Sequence, residues 1–515
     1  MADLVGLSAL DTTGILPRLL SGELPTEPQA DARPHIPAVA RLLLAAALPE
    51  HQVAMVRWLR RLLSTVEGGG PPINAVIASG VLPKLIRLLE GKNVDHLHFE
   101  TTWALTNLTS GSAVRGRPLR FAPRRPSPPA PPPPTLPPPS PSPALQEDSA
   151  SVLAAGALPH LVRLLEHSPC PDTPAQCAWA LSNVTGDGAQ ARDLVLGEGV
   201  CEALLRMFGP GGRARGGGGG GGGALVKQCA WLASNLFRAK PYPPLTPTRE
   251  ALLPVLVRWA AEGGEAATDA AWALAYISDG GGGSVDACAR HGVAAAVVPL
   301  CAPRGAPAAL VTPALRVVGN FLSGSEANTD AALAAGALRA MPALLARGER
   351  GIRKEALWAI SNVCAGSPAQ AAQVDAEGLW PTVLNCVSDG QAAVAREAAW
   401  CVSNLLSHPA ALTRGVVGMG ALGALNAFLA RAPPPEERDV RCVLEGLGKL
   451  LEGAAREDPH LLRAARDASE ESGLGDRVMA LFETGGFPSA RGVLRDLGAY
   501  ILDGEGGSEE GEEGR

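Results

Sequence analysis

The chain has 515 residues, a formal net charge of −6, 46% hydrophobic residues and only 4% aromatic residues. The acidic balance argues against a general nucleic-acid binder, which usually carries a basic face. Apolar content that is mostly Ala, Leu and Val favours closely packed helices over a β-sandwich. The ten Cys are scattered without CxxC pairs, and no secretory leader or membrane-length apolar stretch is present. We therefore expect a soluble chain with reduced thiols, located in the cytoplasm or nucleus.

Two segments recur along the chain. The first is a Gly followed by an apolar helix: GVLPKLIRLL (80–89), GALPHLVRLL (156–165), GALRAMPALL (336–345), GLWPTVLNCV (378–387) and GALGALNAFL (420–429). A Gly is suited to a helix boundary, and a Pro close behind it to the first helical turn. The second segment is TTWALTN (101–107), CAWALSN (177–183), CAWLASN (229–235), AAWALAY (270–276), VVGN ending at Asn320, ALWAISN (356–362) and AAWCVSN (398–404).

The spacing of the second segment gives the period. With Arg316 taken in the Trp position, the key residues are 103, 179, 231, 272, 316, 358 and 400, and the last three intervals are 44, 42 and 42. A period of about 42 residues, with two longer helices and a short one, is typical of armadillo or HEAT repeats. No strand-like alternation competes, so the sequence predicts an all-α solenoid.

Two long intervals coincide with low-complexity inserts. Residues 113–146 are rich in Pro, and residues 211–223 are rich in Gly. Both are expected to be disordered. The Pro-rich tract is compatible with an SH3-type ligand, but an inserted loop or a retained intron is the favoured interpretation. The Gly run is not a P-loop, because no Gly-Lys-Ser/Thr follows it.

The Trp and Asn of each second segment lie four positions apart, on one helix face. Core packing is the usual explanation for a Trp at helical spacing. Here, however, six of the nine Trp share one register, and repeated burial of an unpaired amide would cost about 1–3 kcal/mol each time. An exposed row of amides can instead hold the main chain of an extended peptide, and the indoles can form slots for Lys or Arg.

Acidic residues accompany this row. They are Asp187, Asp269, Glu326, Glu355 and Glu397. Any one of them is most simply a solvated surface charge, but five acids beside one row of Trp and Asn residues, which we call the Trp–Asn ladder, indicate a cationic ligand. The predicted ligand is an extended peptide rich in Lys and Arg.

These segments resemble importin alpha (karyopherin alpha), the armadillo-repeat receptor for nuclear localisation signals. The resemblance covers roughly residues 35–450 and includes FETTWALTNLTSG, WLASNLFRAKPYPP, AAWALAYISDG and RKEALWAISNVCAG. The replacement of Asn by Tyr276 and of Trp by Arg316 resembles the interruption between the two binding grooves of that family. The resemblance implies a right-handed armadillo-repeat superhelical solenoid.

The resemblance also implies the binding residues. The major signal-binding site would comprise Trp103, Asn107, Gly111, Ser149, Trp179, Asn183, Asp187, Trp231 and Asn235, with Gly111, Ser149 and Asp187 around a key Lys. The minor site would comprise Asp269, Trp272, Tyr276, Arg316, Asn320, Glu326, Glu355, Trp358, Asn362, Glu397, Trp400 and Asn404. No catalytic residue, metal or cofactor is expected.

The ends of the chain depart from the family pattern. Residues 1–34 contain only Arg18 and Arg33 as basic residues, so we expect a short disordered segment, little importin beta binding and no autoinhibition. Residues 451–502 resemble a degenerate last repeat, which the family uses to contact an export receptor, and 503–515 form an acidic tail. The implied role is a nuclear import adaptor that shuttles between cytoplasm and nucleus, without nucleic-acid binding or membrane insertion.

Two other classes of function compete with this interpretation. An enzyme is the least supported, since the nine His show no metal-binding spacing and HLHFE (96–100) reads as a loop and helix start. An armadillo scaffold that binds other extended peptides, without an import role, remains the alternative. Such a scaffold predicts basic residues along the groove rather than Trp residues with acids beside them.

Overall fold

A computed structural model describes residues 2–21, 30–64, 71–91, 95–110, 147–212, 222–281, 283–302 and 305–484. These residues form two compact units, Met1–Gly280 and Gly281–Arg515. Both units consist of α-helices, with one short 3₁₀ helix at Ala30–His35 and no strand among the described residues. The predicted all-α solenoid fold is confirmed within each unit.

The helices of the first unit are α1 Ala2–Leu10, α2 Leu16–Ser21, α3 Ile36–Ala45, α4 Pro49–Leu63, α5 Ile73–Ala78, α6 Leu82–Leu88, α7 Asp95–Thr109, α8 Glu147–Ala154, α9 Ala157–His167, α10 Thr173–Gly186, α11 Ala189–Gly197, α12 Val200–Phe208, α13 Gly222–Arg238, α14 Pro247–Glu250, α15 Leu253–Glu262 and α16 Glu265–Ser278. The helices of the second unit are α17 Ser284–Arg290, α18 Val293–Cys301, α19 Ala308–Leu322, α20 Glu326–Ala334, α21 Ala337–Leu345, α22 Arg350–Cys364, α23 Pro368–Ala376, α24 Trp380–Val387, α25 Ala392–Leu406, α26 Ala410–Gly418, α27 Ala421–Leu429, α28 Glu437–Glu457, α29 Pro459–Ser472 and α30 Leu474–Thr484.

From α5 to α28 the helices form triplets of a short, a middle and a long helix. We call the long helices α4, α7, α10, α13, α16, α19, α22, α25 and α28 the ladder helices. Five of them, α7, α10, α13, α22 and α25, carry a complete Trp–Asn segment. Within each unit, successive ladder helices pack side by side, and most of the middle helices pack against the ladder helix that follows them. Each repeat therefore buries its apolar face against its neighbours, as expected for a solenoid.

The recurring Gly marks the turn before each middle helix, as predicted. Gly80, Gly156, Gly336, Gly378 and Gly420 all have positive φ, between 65° and 90°. At Gly156 the chain leaves α8 and enters α9 in the left-handed conformation, which a side chain would disfavour. The sharp turn lets the two helices pack against each other.

The N-terminal segment differs from the sequence expectation. Residues 1–34 were expected to be disordered, but Ala2–Leu10 and Leu16–Ser21 are helical, with Leu7 and Leu16 buried. The Asp3 carboxylate accepts hydrogen bonds from the backbone N–H groups of Ala47 and Leu48 at 3.0 and 3.2 Å, at the start of α4. Acidic side chains are favourable at that helix end, so these contacts hold α1 on the first repeats.

The expected segment boundaries also shift. The Gly-rich insert was placed at 211–223, but α13 already begins at Gly222. The last repeat was placed at 451–502, but α28 runs through residue 451 without a break to Glu457. The Pro-rich insert 113–146 and the acidic tail 503–515 lie outside the described residues. All ten Cys are free thiols, so packing rather than disulfide bonding stabilises the repeats.

Among the described helices, none is by itself both long and apolar enough to cross a membrane. The helices α26 and α27 satisfy the length and composition criteria when they are taken together, and they meet at a bend of 72°.

Gly446 gives a test of how closely ladder helices pack. A Cβ at Gly446 would lie 2.6 Å from the Ser403 carbonyl oxygen on α25. We predict that Gly446→Ala lowers the free energy of unfolding by about 1–3 kcal/mol, because the backbones of α25 and α28 would have to separate. Urea unfolding followed by circular dichroism measures this change.

Gly448, on the same helix, is the matched control, because a Cβ there would have no neighbouring atom within 4 Å. Gly448→Ala should stabilise the chain by about 0.4–1 kcal/mol through the lower entropy of the unfolded state. Equal effects of the two substitutions would contradict the proposed contact between α25 and α28.

Candidate functional site

The nine tryptophans divide into two groups by exposure. Trp58, Trp259 and Trp380, which lie outside the Trp–Asn register, are 8%, 3% and 1% exposed. The six in the register are half-buried or exposed, and Trp179 reaches 39%. They are Trp103, Trp179, Trp231, Trp272, Trp358 and Trp400. Burial therefore separates the register from the core, and the indoles of the register are accessible at the surface.

The asparagines are less exposed than the sequence analysis predicted. Asn183, Asn235 and Asn320 are buried, so the expectation of an exposed amide row is wrong for these three. Asn107, Asn362 and Asn404 are half-buried. The reason lies in the contacts that their side chains make between successive ladder helices.

Three of these amides bind the preceding ladder helix in the same way. The Nδ2 atoms of Asn183 and Asn235 donate to the backbone carbonyls of Thr106 and Ser182, at 3.0 and 3.1 Å. Asn404 donates in the same way to the Ser361 carbonyl at 3.0 Å. In each case the acceptor immediately precedes the previous Asn of the series. These contacts satisfy the amide nitrogen, which is why burial is tolerated.

The amide oxygens remain available. Within the described residues, the Oδ1 atoms of Asn107, Asn183, Asn235 and Asn404 accept no hydrogen bond. They are also absent from the fully buried polar atoms without partners. Each of these asparagines therefore presents an acceptor to solvent beside an accessible indole.

The predicted Lys pocket is partly within the described residues. Ser149 is fully buried and lies beside Asp187, whereas Gly111 lies outside the described residues. Burial raises the pKa of Asp187, although the neighbouring Ser149 hydroxyl lowers it. Ser149 Oγ and Asp187 Oδ2 are buried without a hydrogen-bond partner of ordinary geometry in the described part of the chain. Such a pair is suited to receive a donor from outside.

The sequence analysis missed the residues that surround the first indole. The Arg60 guanidinium on α4 lies over the Trp103 ring, 4.1 Å from its centroid. Its Nε atom donates to Glu100 Oε2 at 2.5 Å. Asn107 Nδ2 donates to the Arg60 carbonyl and to Ser64 Oγ, at 3.2 and 2.9 Å. The only signal for these contacts was the position of Arg60 about one repeat before Asn107.

The last indole of the first unit is stacked on the residue that replaces Asn. The rings of Trp272 and Tyr276 are 5.6 Å apart at an angle of 22°. Burial raises the pKa of Tyr276 to about 12. Asp269 lies one turn earlier on α16, and burial raises its pKa to about 6, against a smaller opposing effect of Lys227. This carboxylate is thus only partly compensated by positive charge.

In the second unit, Arg316 occupies the position expected for a Trp. Its guanidinium lies 5.7 Å from the centroid of the Trp358 ring and donates to Glu355 Oε1 at 2.9 Å. Trp358 also lies against Gly319, where a Cβ would come within 2.1 Å of the ring. Glu355 Oε2 is buried without a partner among the described residues. The sequence-predicted residues Arg316, Glu355 and Trp358 are therefore brought together.

The carboxylates of the next repeats continue this row. Burial raises the pKa of Glu397, with Lys354 and Arg396 opposing the shift. The sequence analysis did not identify Asp439, which is buried on α28 and accepts a hydrogen bond from Trp400 Nε1 at 3.2 Å. Glu355, Glu397 and Asp439 are spaced by 42 residues, a signal that could have revealed Asp439.

Glu326 is the exception among the predicted acids. It is exposed and begins α20 instead of lying on a ladder helix. Its carbonyl accepts a hydrogen bond from Gln370 Nε2 at 3.1 Å. Within the described residues its carboxylate makes no hydrogen bond or ion pair, so the structure does not bring it to the ladder.

Comparisons with known proteins agree with this geometry. The model of the armadillo/beta-catenin-like repeat matches residues 71–110 and 146–186. A crystal structure of an engineered protein aligns with 90% of this chain and 98% of its own length, with a TM-score of 0.71 and 19% identity, which supports the fold alone. The three-helix repeats and their ladder of indoles define an armadillo-repeat protein.

Among armadillo-repeat proteins, the chain is similar in sequence to alpha subunits of importin. Importin subunit alpha-1b of Oryza sativa subsp. japonica is 31% identical over 308 residues, which is 60% of this chain and 49% of that protein. Importin subunit alpha-3 of Arabidopsis thaliana is 32% identical over 309 residues, with the same 60% and 49% coverage. The chain thus spans about half the length of the relatives it matches. Over the matched residues, this chain is similar to alpha subunits of importin.

Replacement of the Asp269 carboxylate is expected to stabilise the chain in a pH-dependent way. Its pKa is raised from 3.8 to about 6, so its ionisation opposes folding above that range and has little effect below it. We predict that Asp269→Asn stabilises the chain, and that the gain grows by about 2 kcal/mol between roughly pH 4.5 and 7.5. Urea midpoints measured across this range give the comparison.

Asp389 serves as the control of opposite sign. Burial raises the pKa of the Asp389 carboxyl, but hydrogen bonds from the Gln391 backbone N–H and from Arg353 lower it by more, so the net shift of the pKa is downward. Asp389→Asn should therefore destabilise the chain by an amount that grows as the pH rises toward the ordinary pKa of 3.8 and stays constant at higher pH. A pH-independent effect of Asp269→Asn would refute the assignment of this buried carboxylate.

Proposed function

We propose that this protein is a cargo adaptor for nuclear import that binds Lys/Arg-rich peptides in extended form along the Trp–Asn ladder. The observation that carries the proposal is the division of the tryptophans: the six in register are accessible, and the three outside it are buried. Accessible indoles at one helical register, each beside an amide, form a repeated peptide-binding surface rather than a core.

The chemistry of the surface favours a cationic ligand. In the first unit, Asp187 has a raised pKa and an unpartnered oxygen next to the ladder. In the second unit, Glu355 and Glu397 each lie three residues before an indole of the ladder, Trp358 and Trp400. A Lys or Arg side chain can lay its stem on an indole and place its charge near such a carboxylate, which gains about 0.5–2 kcal/mol from the ring alone.

The peptide main chain would be held by the asparagines. Their Nδ2 atoms are engaged with the preceding ladder helix, so we propose that the free Oδ1 atoms accept hydrogen bonds from backbone N–H groups of the ligand. This arrangement requires an extended ligand, because only an extended chain presents its N–H groups at regular intervals along the ladder.

The import role is proposed from the relatives, which are named as alpha subunits of importin. By that likeness, cargo bound here would be carried into the nucleus, and the protein itself would return through an export receptor, so that it occupies both cytoplasm and nucleus. A binding protein of this kind would have no catalytic activity. An armadillo scaffold for other extended peptides is the alternative, and ligand charge distinguishes the two.

Binding of a fluorescent Lys/Arg-rich peptide tests the proposal by anisotropy. We predict that Trp179→Ala weakens binding at least about tenfold, because the most exposed indole of the ladder provides stacking surface for two neighbouring slots. The same peptide with every Lys and Arg replaced by Glu should bind to neither the parent chain nor the variant.

Leu194→Ala is the matched control, because Leu194 is an apolar residue of the first unit that is 47% exposed and lies on α11, which is not a ladder helix. It should bind the basic peptide like the parent chain. Preference for the acidic peptide, or equal affinity of the Trp179 variant and the parent chain, would refute the proposal.

A further inference from the structure

The first indole of the ladder is covered by the chain's own arginine. Arg60 projects from α4 onto Trp103 at 4.1 Å, which is the position that a ligand cation would take on an open indole. Phe99 contacts Trp103 from α7 itself, with the ring centroids 5.5 Å apart in an edge-to-face arrangement. The side of Trp103 that faces α4 is therefore already occupied.

Glu100 holds this arginine in place together with a second one. Its two carboxylate oxygens accept hydrogen bonds from Arg57 Nε at 2.7 Å and from Arg60 Nε at 2.5 Å. The Glu100 and Arg60 side chains are 8% and 13% exposed, whereas Arg57 is 42% exposed. Charge-assisted hydrogen bonds of this length are strong, so Glu100 holds both guanidinium groups in a fixed position, with that of Arg60 over Trp103.

The charges of the cluster do not balance. Two guanidinium groups share one carboxylate, and the more exposed of the two, Arg57, faces solvent at the end of the ladder. The pocket of Ser149 and Asp187 further along the same unit has the opposite character, with an undercompensated carboxylate. Along the ladder helices of the first unit, the charge is therefore positive at α4 and negative near Asp187.

We propose that Arg57 and Arg60 form the end of the peptide groove and select an anionic over a cationic side chain at the ligand position just beyond the last slot. This inference rests on the proposed function, since it describes the flank of the same basic peptide. Arg60 closes the outer face of Trp103 to a further Lys or Arg, and Arg57 attracts a carboxylate.

The test uses four labelled peptides with one common Lys/Arg core. Each carries two Glu or two Lys residues on its N-terminal or its C-terminal flank, and the unflanked core is the reference. At one flank the parent chain should bind the Glu peptide about two- to fivefold more tightly than the Lys peptide, as expected for exposed ion pairs. The opposite flank, which does not reach α4, should not show this preference.

Two variants assign the preference to the cluster. Arg57→Gln removes the exposed charge while Arg60 and Glu100 keep their ion pair, so the Glu preference should fall to about one. Arg57→Gln combined with Arg60→Gln leaves Glu100 without a cation beside an uncovered Trp103, and the preference should reverse in favour of Lys. Arg206→Ala, which removes an exposed arginine paired with Glu166 on another helix, is the control and should leave the preference unchanged.

The outcomes separate this inference from the proposed function. If the core binds but neither flank favours Glu, or if Arg57→Gln keeps the full preference, the inference is wrong and peptide binding stands. If the unflanked core does not bind the parent chain, both fail together. Should the double variant not fold, the comparison of Arg57→Gln with the parent chain still decides.

Discussion

The hydrogen bond from a ladder asparagine to a carbonyl of the preceding ladder helix, made by Asn107, Asn183, Asn235 and Asn404, is the contact on which the packing of these repeats depends. Asn183 and Asn235 bury their amides, and a buried amide without a partner is costly. The available partner is the carbonyl just before the previous Asn, at 3.0–3.1 Å. That requirement fixes the register of one helix against the next, and with it the position of each indole.

The same contact explains how one residue type serves both the fold and the site. The nitrogen of the amide binds the neighbouring repeat, and the oxygen stays available at the surface. Because adjacent helices are held at a constant offset, the indoles and oxygens recur at regular intervals. An extended peptide has a similar regularity, so a surface built by repetition matches a ligand that is itself repetitive.

Charge gives direction to this regular surface. The α4 end of the first unit carries Arg57 and Arg60, and the row at Glu355, Glu397 and Asp439 in the second unit is acidic at its buried positions. The backbone provides equivalent slots, and the local charges decide what each slot accepts.

The sequence by itself determined the period, the helical class, the Gly turns and the Trp–Asn register, because these depend on local spacing that repeats about every 42 residues. It could not determine which amide group would be buried, that Ala2–Ser21 would fold onto the first repeats, or that Arg60 would cover Trp103. Those features depend on contacts between side chains about 40 or more residues apart, at offsets that only helix packing sets. The tertiary structure therefore decided which side of each Trp and Asn side chain is accessible and which is already in contact with a neighbouring helix.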